Sequence, residues 1–160
     1  MTTPETTTPP IGTARRTWEV AIVGAGYVGV PLAQTFAEAG RSVVLVDVDP
    51  ERVARLQRGE SYIEDVPSTA LAELVARDLL GATTDYDVLR DADAILIALP
   101  TPLSRQREPD LSIIRAAAAQ IATRLREGHL VVLESTTYPG TTTGDVRPLL
   151  EAGSGLTAGD

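Results

Sequence analysis

The sequence predicts an α/β fold in which helices cover both faces of a parallel sheet of about five strands. Three observations predict it. Short apolar runs rich in β-branched residues alternate with segments of helical periodicity. A G-x-G-x-x-G turn joins the first run to the first helical segment, and an aspartate ends the second run. Four such elements within about 40 residues are typical of parallel βαβ units.

The first four elements have clear boundaries in the sequence. In chain order we predict a strand at 20–23, a helix at 27–39, a strand at 42–46 and a helix at 50–57. Gly40 ends the first helix, as a glycine in the left-handed conformation does. Asp49 caps the second helix, and Pro50 occupies its first helical position.

The later elements are predicted less sharply. They are a helix at 68–78, a short strand at 82–84, a helical turn at 86–90, a strand at 94–99, a helix at 111–126, a strand at 130–133 and a weak helix at 144–150. Pro100 cuts the fourth strand, and Asp110 caps the long helix that Gly128 ends. Pro148 makes the second half of the last helix doubtful.

The chain divides into a tail and one domain. Residues 1–16 are rich in Thr and Pro and are expected to be disordered, whereas 17–160 form the domain. A complete sheet of this type has six strands in the order 3-2-1-4-5-6. We therefore expect a fragment that lacks its sixth strand, with the fifth strand, at 130–133, left as a bare edge.

Composition excludes several classes of function. The chain has 14 basic and 22 acidic residues and a net charge of −8, without the basic patch that a nucleic-acid surface needs. It contains no Cys, no Lys and a single His, which excludes thiolate zinc sites, lysine chemistry and multi-histidine metal sites. The longest apolar stretch, 92–100, is too short to span a membrane, and no signal peptide is visible. A cytoplasmic location is the default expectation.

The glycine turn predicts a dinucleotide site. Gly24 permits the tight turn, Gly26 leaves space for the backbone to approach a diphosphate, and Gly29 lets the helix pack closely on the sheet. The N–H groups at the start of the helix, at Tyr27 and Val28, would then bind the diphosphate.

Asp47 completes this pattern, 18 positions after the last glycine. An acid at the end of the second strand accepts hydrogen bonds from ribose hydroxyls and repels a 2′-phosphate, so NAD is favoured over NADP. Arg52, on the next helix, is placed to meet the adenosine half. The plainer alternative is a glycine turn and a helix cap without a ligand.

Four longer blocks add a resemblance. They read GAGYVGVPLA at 24–33, GESYIEDV at 59–66, LPTPL at 99–103 followed by PDLS at 109–112, and ESTTYPGTT at 134–142. In this order they resemble the UDP-glucose/GDP-mannose dehydrogenase family of nucleotide-sugar dehydrogenases. The resemblance covers nearly everything after the tail.

The resemblance implies an activity and further site residues. The family uses NAD to oxidise the C6 alcohol of a sugar to a carboxylate in two hydride transfers. It implies that Pro100, Thr101 and Pro102 lie beside the nicotinamide half. It also implies that Glu134, Ser135 and Thr136 end the fifth strand at the switch-point side of the sheet, and that Thr136 helps to hold a catalytic water. The SYIED block is most similar to the branch acting on UDP-N-acetylglucosamine, although PTPL and PDLS also occur in enzymes for UDP-N-acetylmannosamine.

The same resemblance shows what this chain lacks. The family's chemistry passes through a thioester on a cysteine, assisted by a lysine and an asparagine in a later segment, and this chain has none of the three. The intact enzyme is expected to take a UDP-sugar and to form a homodimer or higher oligomer, whereas this chain alone is expected to be inactive. A stand-alone, non-catalytic NAD-binding or interaction module is the alternative. A 3-hydroxyacid dehydrogenase is a weaker rival, because it does not account for ESTTYPGTT.

A few other residues invite a role. Tyr62, Glu64 and Asp65 lie in a polar segment that is as consistent with a plain loop as with a ligand contact. His129 is interpreted as structural, because no catalytic partner is visible in the sequence. Trp18, like Tyr86, is expected to pack in the core.

Overall fold

The computed structural model describes residues 17–103 and 109–159. The tail predicted at 1–16 lies outside the described residues. Five parallel strands form one sheet in the order β3-β2-β1-β4-β5, which confirms the predicted order for these five. The strands are β1 (Trp18–Val23), β2 (Val43–Val46), β3 (Leu80–Thr83), β4 (Ala92–Ile97) and β5 (Leu130–Leu133).

Helices connect the strands and cover both faces. They are α1 (Gly29–Glu38), α2 (Pro50–Gln57), α3 (Ser68–Ala76), α4 (Ser112–Ala122) and α5 (Arg147–Ser154), with a 3₁₀ turn at Tyr86–Asp91 and a π-helical turn at Thr142–Val146. No helix among the described residues is long and apolar enough to cross a bilayer.

The sheet separates two apolar layers because side chains alternate along each strand. Val20 and Ile22 of β1 pack with α1, α2 and α3 on one face. Ala21 and Val23 pack with α4 and the 3₁₀ turn on the other face. β1 and β2 are almost wholly buried, which explains why their sequences read as continuous apolar runs. Trp18 lies in the second layer, as predicted.

Several predicted boundaries were wrong. β3 and β4 each begin two residues earlier than predicted, because their first residues already pair with the neighbouring strand: Leu80 with Val43 and Ala92 with Trp18. α4 ends at Ala122 and not near 126, since the Arg124 N–H turns back to the Ile121 carbonyl.

The last helix also differs from the prediction. Pro148 lies in the first turn of α5, directly after the π-helical turn, and the helix continues to Ser154. Because α5 extends to Ser154, the prediction that the second half of this helix is doubtful was wrong.

Candidate functional site

The glycine loop lies at the carboxyl end of β1, between the ends of β2 and β4. Its backbone is held on both sides, because the Gly24 N–H donates to the Val46 carbonyl and the Ala98 N–H donates to the Val23 carbonyl. The loop is therefore fixed at the point where the strand order reverses, the usual ligand site of such sheets.

The three glycines of the motif serve different purposes. Gly24 has φ +108°, and a Cβ there would collide with the Ala98 carbonyl oxygen. A Cβ at Gly29 would collide with the Gly24 carbonyl oxygen. A Cβ at Gly26 would meet no atom within 4 Å. The protein itself requires Gly24 and Gly29, whereas the space at Gly26 is open and fits a group that approaches from outside.

The start of α1 faces the same open space. Its N-cap residue, Val28, supplies no side-chain hydrogen bond, and no acidic residue lies in the first turn. Tyr27 is 79% exposed and Val28 is 54% exposed. The Val30 N–H already donates to the Gly26 carbonyl, so the N–H groups just before it, together with the positive end of the helix dipole, are the ones available to an anion.

Asp47 is buried beside this loop, and both of its oxygens are engaged. Oδ2 accepts from the Ala25 N–H at 2.7 Å, and Oδ1 accepts from the Asp49 N–H at 2.9 Å. A carboxylate oxygen has two acceptor positions, so each oxygen keeps one beyond the bond just described. Arg52 Nη1 lies 4.0 Å from Oδ2. The predicted ribose acceptor is thus also a structural tie between the glycine loop and α2.

The start of α2 carries the cation that was predicted for the adenosine half. Asp49 accepts from the N–H groups of Glu51 and Arg52 and so caps the helix, as predicted. Arg52 Nε lies 3.6 Å from Asp49 Oδ2. About half of the Arg52 side chain is exposed, so its guanidinium stands at the edge of the site.

Tyr62 is part of the site, although the sequence left its role open. Its hydroxyl donates to the Ala25 carbonyl at 2.7 Å. The guanidinium carbons of Arg52 and Arg55 lie 5.8 and 5.2 Å from its ring centroid. Burial, with a smaller contribution from the charge of Asp47, raises the pKa of Tyr62 to about 12. Glu64 and Asp65 are exposed.

A cavity of about 290 Å³ opens between the glycine loop, α2 and Tyr62. Arg55, which lines it, was missed in the sequence. The signal was its position three residues after Arg52, which places both arginines on one face of α2. The walls include Gly26, Tyr27, Asp49, Arg52, Arg55 and Tyr62.

The loops that follow β4 and β5 meet on the other side of β1. The Thr101 hydroxyl donates to the Thr136 carbonyl at 2.6 Å. The Ser135 hydroxyl accepts from the Leu99 N–H at 3.0 Å and lies 3.3 Å from the Ile97 carbonyl. The structure therefore brings together Thr101 and Thr136, and it shows Ser135 as a second link between the two loops.

The remaining predicted residues lie at the same end of the sheet. Pro100, Glu134 and Thr136 are exposed, and the Glu134 N–H donates to the Ile97 carbonyl. Their roles toward a cofactor stay predictions. His129 lies before β5, at the opposite end of the sheet, where burial lowers its pKa. The described residues contain no cluster of His, Cys, Asp and Glu that could hold a metal ion.

Comparison with known proteins identifies a family. The sequence model described as "UDP-glucose/GDP-mannose dehydrogenase family, NAD binding domain" matches residues 18–159. The chain is 42% identical to a UDP-glucose 6-dehydrogenase of Haloferax volcanii, over 89% of this chain and 34% of the relative. It is 38% identical to a UDP-N-acetyl-D-glucosamine 6-dehydrogenase of Pseudomonas aeruginosa, over 86% of this chain and 32% of the relative.

Solved structures agree with these relatives. A GDP-mannose dehydrogenase from Pseudomonas aeruginosa superposes with a TM-score of 0.83 at 32% identity, over 87% of this chain and 33% of that chain. A UDP-glucose dehydrogenase from Pyrobaculum islandicum gives a TM-score of 0.81 at 32% identity, over 92% and 35% of the two chains. The chain spans about a third of the length of the curated relatives it matches.

Proposed function

Because the chain belongs to the UDP-glucose/GDP-mannose dehydrogenase family and spans its NAD-binding domain, we propose that it binds NAD across the carboxyl ends of β2, β1 and β4. The observation that carries this proposal is the open space at Gly26 beside the uncapped start of α1. A diphosphate fits there, because it needs both close backbone approach and free N–H donors.

In this proposal the other predicted residues of the glycine loop and α2 surround the dinucleotide. The N–H groups of Tyr27 and Val28 bind it, and Gly24 and Gly29 hold the loop in shape. Asp47 accepts the hydroxyls of the adenosine ribose through its two remaining acceptor positions. Arg52 lies over the edge of the adenosine half.

The linked loops after β4 and β5 receive the nicotinamide half. Pro100 and Thr101 lie along one side, and Glu134 and Thr136 lie along the other. The bond from Thr101 to Thr136 keeps the two loops at a fixed separation. Thr136 is exposed at this end of the sheet, which is consistent with a role in holding a water.

In the whole protein, we propose that this domain serves a nucleotide-sugar 6-dehydrogenase. Bound NAD supplies the hydride acceptor for the two steps that convert a C6 alcohol to a carboxylate. UDP-N-acetylglucosamine is the proposed substrate, on the strength of the SYIED block and of two relatives named for that sugar. The product would feed polysaccharide synthesis, and the whole protein would work as a homodimer or higher oligomer.

The experiment that tests this proposal replaces Gly26 by valine. A Cβ at Gly26 would enter the space that the diphosphate needs, and it meets no protein atom within 4 Å. We expect Gly26→Val to abolish NAD binding in titration calorimetry, while the far-UV circular dichroism stays native.

Gly144→Val is the matched control. A Cβ at Gly144 also meets no atom within 4 Å, and this glycine lies in the π-helical turn, away from the loop. It is expected to bind NAD as the unmodified chain does. Unchanged NAD affinity in Gly26→Val would show that the loop is not the diphosphate cradle.

A further inference from the structure

Two side chains form hydrogen bonds with the backbone of Ala25, the residue between the first two glycines of the loop. The Asp47 carboxylate accepts its N–H, and the Tyr62 hydroxyl donates to its carbonyl, each at 2.7 Å. Ala25 is fully buried. Neither of these bonds can be exchanged freely for a bond to water, so both peptide groups of Ala25 have a fixed orientation.

The carbonyl of Ala25 and the N–H of Gly26 belong to the same planar trans peptide. In such a peptide the two groups point in opposite directions. Holding the Ala25 carbonyl toward Tyr62 therefore also sets the direction of the Gly26 N–H. Gly26 is the motif glycine at which a Cβ would enter open space, and in the proposed function the diphosphate occupies that space, beside this N–H.

Tyr62 is itself held in place. Arg55 donates from Nη2 to the Ser61 carbonyl at 2.7 Å, and its guanidinium carbon lies 5.2 Å from the Tyr62 ring centroid. Arg52 approaches the same ring at 5.8 Å. Burial keeps the pKa of Tyr62 high, so the hydroxyl remains a donor at neutral pH.

We propose that Tyr62 is a positioning residue of the cofactor site, which orients the amides of the glycine loop toward the diphosphate of a dinucleotide through its bond to Ala25. The inference rests on the proposed NAD-binding function. It assigns a role to the GESYIEDV block that is separate from any contact with the sugar substrate.

The test is Tyr62→Phe, which removes the hydroxyl and keeps the ring beneath the two arginines. Affinity for ADP-ribose, measured by calorimetry, is expected to fall about five- to tenfold, the loss typical of one hydrogen bond. Affinity for adenosine, measured by NMR titration, is expected to stay within about twofold, because adenosine has no diphosphate. A purely structural role would lower the melting temperature without separating the two ligands.

Tyr138→Phe is the matched control. Its hydroxyl donates to Asp145 Oδ2 at 2.7 Å, in the segment after β5 and away from the glycine loop. This variant is expected to bind ADP-ribose as the unmodified chain does.

The outcomes separate the two proposals. If the unmodified chain does not bind ADP-ribose, the NAD-binding function is wrong and the role of Tyr62 falls with it. If the unmodified chain binds ADP-ribose and Tyr62→Phe binds it equally well, or loses adenosine to the same extent, the positioning role alone is wrong.

A measurement on the unmodified chain covers the case in which Tyr62→Phe does not fold. The Tyr62 hydroxyl proton is expected to exchange slowly enough to give an NMR signal with a cross-peak to Ala25. A hydroxyl proton in fast exchange with water would contradict the bond.

Discussion

Asp47 combines a ligand role with a structural one, and the two have to be separated in any experiment. The carboxylate ties Ala25 in the glycine loop to Asp49 at the start of α2. Removing this carboxylate leaves the N–H of the fully buried Ala25 without an acceptor. The free energy of unfolding is expected to fall by about 1–3 kcal/mol. Binding measured on a single cofactor would mix this cost with the lost ribose contact.

The effect of Asp47→Ala is therefore best measured as the ratio of the affinity for NAD to the affinity for NADP. We expect it to weaken NAD binding by about tenfold or more, and to narrow the preference for NAD over NADP, because the acid that repels a 2′-phosphate is gone. Calorimetric titration of both cofactors against each protein gives the ratio. Both cofactors bind the same glycine loop. Damage to the loop therefore weakens both affinities alike and leaves their ratio unchanged. Equal affinities for NAD and NADP in the unmodified chain would contradict the prediction.

The sequence could predict where the glycine turn and Asp47 lie in the fold, because the turn follows the first apolar run and Asp47 follows the second. Gly24 has to adopt positive φ, and an acid has to stand where β2 ends. Tyr62 could not be assigned in this way. Its partner, Ala25, lies 37 positions earlier, and only the packing of the loop against α2 brings the two together. Arg55 had a sequence signal, its position three residues after Arg52 on α2.

Strands were predicted better than helix ends. Apolar runs located β1, β2, β4 and β5, because strands that pack against helices have few alternatives to an apolar sequence. The prediction for β3, at 82–84, began two residues late. Helix ends depend on local sequence signals, which are weaker than the apolar pattern of a strand. Gly128 looks like the residue that ends α4, but the helix stops at Ala122, and the intervening residues form a turn with a hydrogen bond from His129 to Arg126.

β5 is the weak element of the sheet. Among the described residues it pairs with β4 alone, and Leu130 is 60% exposed. The other three residues of the strand are half-buried, whereas those of β1 and β2 are almost all buried. An apolar edge of this kind offers unpaired backbone groups to another chain.

Hydrogen exchange is expected to reveal this edge. In a dilute, freshly purified sample the amides of β5 should exchange much faster than those of β1 and β2, which lie inside the sheet. At higher concentration the same edge should drive dimerisation or aggregation. Mass spectrometry on short peptides measures the difference. Strong protection of β5 in a proven monomer would mean that some part of the 160 residues covers the edge.

The described residues place two predicted parts of a cofactor site at one end of the sheet. The glycine loop and Asp47 lie on one side of β1, and the Thr101–Thr136 link lies on the other. In the proposed function these groups bind and orient NAD. None of the 160 residues is a cysteine, so no thioester intermediate can form on this chain.

Turnover by the chain alone should therefore be absent. Incubated with NAD and either UDP-N-acetylglucosamine or UDP-glucose, the 160-residue chain is expected to produce no NADH. The absorbance band of NADH gives the readout, with a boiled sample and a sample without sugar as controls. A rise that requires the sugar would refute the expectation.

The different surroundings of the three motif glycines have an evolutionary consequence. Gly24 and Gly29 are required by neighbouring carbonyl oxygens of the protein, whereas Gly26 is required by nothing in the chain itself. A descendant that kept the fold but lost its cofactor would be free to replace Gly26 first. Natural selection for folding alone would still preserve Gly24 and Gly29, so the pattern of lost glycines distinguishes a degenerate cofactor site from a degenerate fold.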